Sequence, residues 1–323
     1  MLAKRYNYDN KAIIPLSKSQ GLARDNLINT LYSGKYTMET VACECGNATY
    51  DVLAEKDRYG LPVKTVICDK CGLIYQNPRL SEESSNHFYS VVYRDLYSDS
   101  NSIEDLFIDQ LLRGRRIARW IHDKIGHYPE NVVEIGCGAG GILQAFRDKG
   151  CNTIGVDFNK KYLDYGISKG LDLRTCDARQ LPNSTSDLVL LSHVLEHFLN
   201  IEKELQTISC LLKASGNLYI ELPGIFNLRQ YSFDFLRSLQ NAHNYYFSLE
   251  TLQQVMGLFG WQFESGNEKI YSLFTFKNQK TPIRKSHYAK TLRKLRNTEK
   301  IRKIFSPAIV SGLNSYLSYL TNR

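Results

Sequence analysis

Short apolar runs alternate with amphipathic helical patterns through the middle of the 323-residue chain. The patterns predict strands at NVVEI, NTIGV, LDLRT, DLVLLS and GNLYIEL, separated by the helical segments ILQAFRDKG, KKYLDYGISKG and IEKELQTISCLL. Glycine closes the first two of these helices, as it commonly does. Strands that alternate with helices form a parallel sheet with right-handed crossover connections. The chain is therefore predicted to be an α/β protein.

The two ends of this alternating region carry different patterns. Residues 103–125 place apolar side chains at helical spacing and predict a long helix that leads into the sheet. A further helix, SLETLQQVMGLFG, precedes the β-prone runs WQFES and YSLFTFKN, whose short separation predicts an antiparallel hairpin. The sheet is thus expected to be mostly parallel with an antiparallel edge. Residues 1–38 are polar and tyrosine-rich, and we expect an N-terminal arm there.

Charge is distributed unevenly along the chain. The formal net charge is +8, but twelve Lys and Arg residues lie from Lys277 onward, against the single acid Glu299. The first half of this basic tail places Tyr288, Leu292 and Leu295 at helical spacing. We expect a helical tail over 279–323. It is either a solvated basic helix that packs on its own body or one that docks on an acidic protein partner or an anionic membrane surface, with nucleic acid less favoured.

Membrane-spanning and secretory signals are missing from the sequence. No segment approaches the roughly 20 apolar residues that a membrane span needs. The start, MLAKRYNYDNK, has no apolar core of a signal peptide. A cytoplasmic protein is expected, peripheral to the inner membrane face if the tail docks there.

The loop after the first predicted strand is rich in glycine. Gly136 and Gly138 begin a strand-to-helix turn in which the backbone can approach a ligand and the helix amides can bind it. Asp157 closes the next strand, where a carboxylate can accept both hydroxyls of a ribose. This spacing also fits an NAD site. Glu134 favours another ligand, because its carboxylate suits an ammonium group and would lie poorly beside a pyrophosphate.

The run VVEIGCGAGG…GVDFN…CDARQLP…DLVLLSHVLEHF resembles the motifs of class I S-adenosylmethionine (SAM)-dependent methyltransferases over roughly residues 105–278. The resemblance implies a Rossmann-like sheet with SAM as cofactor. It assigns the methionine end to Glu134, Gly136 and Gly138, the ribose to Asp157, the adenine to Phe158, Asp177 and Ala178, and a flanking position to Ser192 and His193.

The turn after the fourth main strand, His193 to His197, is expected to face the transferred methyl group, because ligands bind at the carboxyl ends of such strands. His197 is the preferred general base and Glu196 is next, since histidine titrates near neutral pH. His193, Glu196 and His197 are alternatively ligands for a divalent metal. His243, in the insertion after the fifth strand, is a second candidate base.

Four cysteines form two clusters ahead of the predicted sheet. Cys43 and Cys45 precede Gly46, and Cys68 and Cys71 precede Gly72. Two such knuckles fit a structural tetrahedral zinc, and reduced cysteines without metal are the alternative. The module, with DRYG at 57–60 and NPR at 77–79, resembles the N-terminal zinc-binding domain of nucleotide-sugar and polysaccharide-associated methyltransferases. That resemblance implies an acceptor pocket with the aromatic residues Tyr59, Tyr89 and Tyr93, and a module that only supports folding, without substrate contact, is the alternative.

These patterns define four regions and one expected activity. The regions are an arm at 1–38, a zinc-ribbon-like module and connector at 39–100, a methyltransferase domain at 101–278 and a basic helical tail at 279–323. The expected activity is methyl transfer from SAM to a carbohydrate, either a nucleotide-linked sugar or a surface polysaccharide residue. An RNA methyltransferase with a zinc ribbon and a SAM-binding scaffold without activity are the alternatives.

Overall fold

A computed structural model describes residues 1–97 and 102–304, which divide into two compact units. One, here called the cysteine unit, combines the described parts of 1–98, 223–252 and 283–323. The other, the sheet unit, combines the described parts of 99–222 and 253–282. Residues 223–252 therefore group with the cysteine pairs, whereas the sequence divided the chain at residues 38, 100 and 278.

Helices and strands occupy most of the predicted positions. The helices are α1 (Lys18–Tyr32), α2 (Glu82–His87), α3 (Tyr93–Tyr97), α4 (Ile103–Ile125), α5 (Gly141–Arg147), α6 (Lys160–Ser168), α7 (Ile201–Leu211), α8 (Leu249–Leu258) and α9 (Tyr288–Ile304). The strands are β1 (Met38–Glu39), β2 (Tyr50–Ala54), β3 (Thr65–Cys68), β4 (Ile74–Gln76), β5 (Arg79–Leu80), β6 (Asn131–Ile135), β7 (Asn152–Val156), β8 (Asp172–Arg174), β9 (Ser186–Ser192), β10 (Leu212–Glu221), β11 (Tyr245–Tyr246), β12 (Trp261–Gly266) and β13 (Tyr271–Phe276).

Seven strands form the sheet of the sheet unit, in the order β12-β13-β10-β9-β6-β7-β8. Strands β10, β9, β6, β7 and β8 are parallel, whereas β13 pairs antiparallel with both β10 and β12. The predicted mostly parallel α/β sheet with an antiparallel edge hairpin is confirmed. The chain order reverses between β6 and β9, and ligands of open α/β sheets bind at the carboxyl ends of the strands at such a reversal.

Helix α4 packs closely against α5, because glycine lies at the contact on each helix. A Cβ added to Gly114 would lie 2.7 Å from the Cα of Ile142. A Cβ added to Gly141 would lie 2.3 Å from the carbonyl oxygen of Phe107. The core around this contact is formed by the buried residues Phe107, Ile117, Ile121, Val132, Leu143, Phe146 and Leu188.

The cysteine unit contains a four-stranded antiparallel sheet in the order β11-β4-β3-β2. Strand β11 belongs to the 223–252 segment, and it places Tyr245 opposite Tyr75 and Tyr246 opposite Ile74. The Gln76 amide extends this pairing by donating to the carbonyl oxygen of Asn244 at 2.9 Å. The sequence did not predict this strand, because two residues carry no detectable period.

The ends of the chain contribute helices to the cysteine unit. The predicted arm contains α1, which has a weak hydrophobic pattern and buries Leu27 and Ile28. The helix predicted for the first half of the tail is confirmed as α9, and its Leu292 and Leu295 pack in the core of the unit. The second half of the predicted tail, 305–323, lies outside the described residues. Among those described, no helix is long and apolar enough to cross a membrane.

Candidate functional site

The loop between β6 and α5 needs glycine for conformational reasons and for space. Gly136, Gly138 and Gly140 have φ angles of 72°, 55° and 79°, in the left-handed region that side chains disfavour. A Cβ on Gly136 would also lie 2.7 Å from the Cγ2 of Val194, which follows β9. The structure therefore brings the loop after β6 and the turn after β9 together at the chain reversal.

The side chain of Gln110 in α4 hydrogen-bonds to this loop at two positions. Its Oε1 accepts from the Gly141 amide at 3.2 Å, and its Nε2 donates to the Cys137 carbonyl at 3.2 Å. A Cβ on Gly138 would lie 2.7 Å from the same Nε2, so Gln110 can approach only a glycine. The sequence analysis missed Gln110. Gln110 lies three positions after Phe107, on the face of α4 that packs into the core. A polar residue on such an apolar face was the signal that could have identified it.

Glu134 is a buried acid beside the glycine loop. Its side chain is 1% exposed, and its Oε2 has no hydrogen-bond partner among the described residues. Burial raises the pKa of Glu134 well above its ordinary value, the charge of Asp157 raises it further, and Arg113 opposes the rise. A buried carboxylate that lacks a donor is stabilised by an incoming ammonium group. The site thus fits the amino-acid end of SAM.

Arg113, Ser192 and Glu221 form a polar group near the ends of β9 and β10. The Arg113 Nη1 donates to the Ser192 Oγ at 3.5 Å, and this hydroxyl donates to the Glu221 Oε2 at 3.2 Å. Ser192 was predicted beside the cofactor, whereas Arg113 and Glu221 were missed. Arg113 is the cation that faces Glu134, and it gives the site a positive group for a carboxylate.

Asp157 and Phe158 follow the carboxyl end of β7, as predicted. The Asp157 carboxylate accepts from the Gly138 amide at 2.9 Å and from the Asn159 amide at 2.7 Å, so it is fixed against the glycine loop. The Phe158 ring is 77% exposed. The ring offers a face for a flat adenine.

Asp177 and Ala178 lie beyond β8, where Asp177 caps the single turn Ala178–Gln180. The Asp177 carboxylate accepts from the Arg179 amide at 2.8 Å and pairs with the Arg179 guanidinium at 2.7 Å. The hydrogen bond from this guanidinium is the main cause of a lowered Asp177 pKa. This pairing was not anticipated from the sequence, and it occupies part of the carboxylate that was assigned to the adenine.

The structure places His193, Glu196 and His197 together at the end of β9. His193 adopts a left-handed φ of 56°, and its amide donates to the Glu221 carbonyl at 2.8 Å. The His193 Nδ1 lies 3.4 Å from the Glu196 Oε1, and the Glu196 side chain is 1% exposed. His197 closes the single turn Leu195–His197 and is half-buried. The strained backbone at His193 is typical of functional sites.

The second candidate base, His243, belongs to the cysteine unit. Its side chain is buried, its ring lies 5.7 Å from that of Tyr246, and its Nε2 hydrogen-bonds to the Gln240 side chain. The three tyrosines implied by the resemblance lie in the same unit. Tyr89 and Tyr93 have ring centroids 5.0 Å apart, and Tyr59 packs edge-on against Tyr97 at 5.0 Å.

The four cysteines of the two knuckles converge on one point. Their sulfur atoms all lie within 4.8 Å of one another, with Cys43 and Cys71 at 3.5 Å and Cys45 and Cys68 at 3.6 Å. Zinc–sulfur bonds of about 2.3 Å in a tetrahedron place neighbouring sulfurs about 3.8 Å apart. Gly46 and Gly72 have left-handed φ angles of 78° and 85°, as expected for the turn of each knuckle. The cluster has the geometry of a tetrahedral metal site.

The pKa of Cys45 and the pKa of Cys68 are lowered, whereas hydrogen bonds with neighbouring thiols and burial raise the pKa of Cys43 and of Cys71. The Asn47 Nδ2 donates to the Cys68 Sγ at 3.4 Å, and the Leu73 amide donates to the Cys71 Sγ at 3.5 Å. Hydrogen bonding with the Cys43 thiol lowers the pKa of Cys45 to about 7. Such donors are typical of the environment of metal-binding thiolates.

One known family matches the middle of the chain. Residues 110–265 match the methyltransferase domain family, just under half of the chain. The matched range contains the glycine loop, Asp157 and the turn from His193 to His197. Together with the strand order, the match shows that the sheet unit has the Rossmann-like fold of methyltransferases.

Individual relatives share part of this domain. The chain is 25% identical over 158 residues to a sterol 4-C-methyltransferase of Caenorhabditis elegans, a match that covers 43% of this chain and 46% of that protein. It is 28% identical over 101 residues to the mitochondrial ubiquinone biosynthesis O-methyltransferase of Bos taurus, covering 28% of this chain and 27% of that one. The chain thus spans less than half the length of these relatives.

Two solved structures overlap with larger parts of the chain. A SAM-dependent methyltransferase from Archaeoglobus fulgidus is 24% identical, covers 67% of this chain and 94% of its own, and has a TM-score of 0.41. The 1,6-didemethyltoxoflavin-N1-methyltransferase of Burkholderia thailandensis is 16% identical, covers 66% of this chain and 93% of its own, and has a TM-score of 0.45.

Proposed function

We propose that the protein transfers the methyl group of SAM to a hydroxyl group of a carbohydrate, and that the cofactor binds at the carboxyl ends of β6, β7 and β9. The buried Glu134 carboxylate beside the glycine loop carries this proposal. Its unpartnered oxygen needs a cationic donor, and the ammonium of SAM is a donor of that kind. The supporting groups are Gly136 and Gly138 for the methionine end and Asp157 for the ribose.

The remaining cofactor contacts follow from the same arrangement. The exposed Phe158 ring packs on the adenine, and Asp177 with Ala178 borders its edge. Ser192 and His193 flank the sulfur side, next to Arg113, which binds the carboxylate of the methionine part. Each assignment rests on the position of the residue at or shortly after the carboxyl end of a parallel strand, apart from Arg113, which reaches the site from α4.

General base catalysis by His197 completes the proposed reaction. Bound SAM supplies an electrophilic methyl group. His197 accepts the hydroxyl proton of the acceptor while the hydroxyl oxygen bonds to the methyl carbon and the carbon–sulfur bond breaks with its electron pair on sulfur. Glu196 and His243 are the further candidates for this base.

Two observations support a carbohydrate hydroxyl as the acceptor. The cysteine module resembles that of nucleotide-sugar and polysaccharide-associated methyltransferases, and its tyrosine rings offer flat faces of the kind that pack on sugars. Among the relatives, those named for ubiquinone biosynthesis are O-methyltransferases, which supports transfer to oxygen. A nucleotide-linked sugar and a surface polysaccharide residue are both compatible with this chemistry.

Transfer of radiolabel from SAM to a panel of acceptors tests this function. We expect label in nucleotide-linked sugars or polysaccharide fragments, and none in bulk RNA or quinols. His197→Gln should lower turnover by roughly 10² or more while SAM still binds. His127→Gln, at an exposed position between α4 and β6, is the control and should leave turnover unchanged. Label in RNA or quinols alone would overturn the carbohydrate proposal. Loss of activity only in His243→Gln would assign the general base to His243 instead of His197.

We also infer that the four cysteines hold one structural zinc ion. Four thiolate ligands leave no open coordination position, which is typical of structural and not catalytic sites. Elemental analysis of the purified protein should find one equivalent of zinc, and Cys68→Ser should reduce it. Cys210→Ser is the control, because Cys210 is exposed and lies outside the cluster. A folded, metal-free preparation of the unaltered protein would contradict this inference.

A further inference from the structure

Helix α9 has two faces of opposite character. Thr291, Leu292, Leu295 and Glu299 are buried on one side. The other side exposes a polar face that comprises Arg293, Arg296, Asn297 and Lys300. Residues three, four and seven positions apart lie on the same side of a helix, so these three cations form one continuous stripe.

The cations of this stripe are available to a partner. Within the part of the chain that the structure describes, Arg293, Arg296 and Lys300 form no ion pair. Other cations of the same helix are engaged, since Lys290 pairs with Glu250 at 2.5 Å. The one acid of α9, Glu299, is buried and pairs with Arg5 at 3.0 Å and Arg302 at 2.8 Å. The single acid of α9 therefore does not offset the charge of the exposed face.

Apolar surface lies next to the cations. Beside the stripe, α9 carries the exposed Ala289 and the half-buried Tyr288. A mixture of cations with tyrosine and aliphatic groups suits the boundary between lipid headgroups and acyl chains, where tyrosine is enriched and lysine and arginine meet phosphate.

The sequence that follows α9 favours a bilayer over nucleic acid as the partner. Residues 305–322, FSPAIVSGLNSYLSYLTN, contain no charged side chain and are rich in Leu, Ile, Val and Tyr. A nucleic-acid-binding tail gains affinity from additional phosphate contacts by Lys and Arg. A basic helix followed by uncharged, apolar and tyrosine-rich sequence instead has the composition of a membrane-surface segment.

We propose that the stripe of Arg293, Arg296 and Lys300 docks the protein on the surface of a bilayer that contains anionic phospholipid. The guanidinium and ammonium groups pair with headgroup phosphates, and Ala289 and the Tyr288 ring meet the apolar boundary. Each basic residue near an anionic membrane surface strengthens binding about fivefold. The three together account for roughly a hundredfold in affinity. This docking is independent of the proposed methyl transfer.

Sedimentation of the full-length protein with vesicles tests the proposal. We expect binding to phosphatidylcholine vesicles that contain phosphatidylglycerol, and little binding to phosphatidylcholine alone. Raising the salt from about 0.1 M to about 1 M shortens the screening length from about 10 Å to about 3 Å and should release the protein. The triple variant Arg293→Gln, Arg296→Gln, Lys300→Gln should lose roughly a hundredfold in affinity.

A matched triple variant separates a specific face from net charge. Lys18→Gln, Lys35→Gln, Lys64→Gln removes the same charge from other exposed positions of the cysteine unit, and it should bind vesicles nearly as the unaltered protein does. Circular dichroism and SAM binding verify that both variants fold. Equal losses in the two variants, equal binding to neutral vesicles, or binding to RNA or an acidic polypeptide without binding to anionic vesicles would each overturn the proposal.

Discussion

Single residues at the candidate site differ in how far the sequence reveals them. Glu134, Gly136, Gly138 and Asp157 lie in one motif, with the acid at a fixed spacing from the glycines, so their positions were predictable. Gln110, Arg113 and Glu221 were not, because α4 and β10 bring them to the site through tertiary packing. The ion pair of Asp177 with Arg179 was also not predictable from the sequence, because it depends on the conformation of the turn that Asp177 caps.

Glu134 provides a prediction at this scale. Burial raises its pKa, so the folded protein binds this proton more tightly than the unfolded chain, and stability falls as the pH rises above the ordinary glutamate pKa of about 4.3. Glu134→Gln should therefore stabilise the protein at pH 7 by about 1–3 kcal/mol, while losing SAM affinity. The gain should vanish as the pH is lowered through about 4.3, where the carboxyl is protonated in both states.

Thermal melting over a pH series measures this effect. Glu130→Gln is the control, because Glu130 is exposed just before the same strand. A Glu134→Gln variant that is less stable than the unaltered protein at pH 7, or whose gain does not depend on pH, would show that the buried carboxylate is not a destabilising charge.

Elements were predictable where their hydrophobic pattern is local. The strands and helices of the sheet unit repeat apolar positions at their own period, and nearly all of them appear where expected. Strand β11 was not predicted, because its two residues pair with the distant β4 and carry no local pattern. Helix α1 was not predicted either, because it has few apolar residues that pack in the core. The close packing of α4 on α5 was also not predicted, because a glycine within a helix indicates a close contact only when the helix that packs against it is known.

That helix contact leads to a prediction at the scale of elements. Gly114→Ala should destabilise the protein by about 1–3 kcal/mol, because the added methyl overlaps the backbone of Ile142 at 2.7 Å. Gly21→Ala in α1 is the matched control, since nothing lies within 4 Å of its added Cβ and its φ is not in the left-handed region. The control should be stabilised by about 0.5–1 kcal/mol. Thermal melting that ranks the two variants in the opposite order would exclude the close helix contact.

At the scale of the whole molecule, the sequence predicted the helices, strands and cofactor motifs more closely than the way in which the chain divides into two units. The cysteine unit is built from three separated stretches, and the stretch 223–252 joins it through β11 and through contacts such as the hydrogen bond from Tyr89 to the Ala242 carbonyl at 3.0 Å. Such contacts between distant residues leave no local signal. The methyltransferase domain was evident nonetheless, because its cofactor motifs follow one another along the chain in strand order.

Calorimetric titration of SAM into Asp157→Ala and the unaltered protein tests the cofactor site most directly. Asp157 is the predicted ribose ligand, and charged hydrogen bonds of about 1.5–3 kcal/mol imply a loss of roughly a hundredfold in affinity. Asp164→Ala, which removes an exposed carboxylate from α6, should bind SAM normally. Both variants should melt as cooperatively as the unaltered protein. Undiminished SAM binding by a folded Asp157→Ala variant would contradict the placement of the cofactor at the ends of β6 and β7.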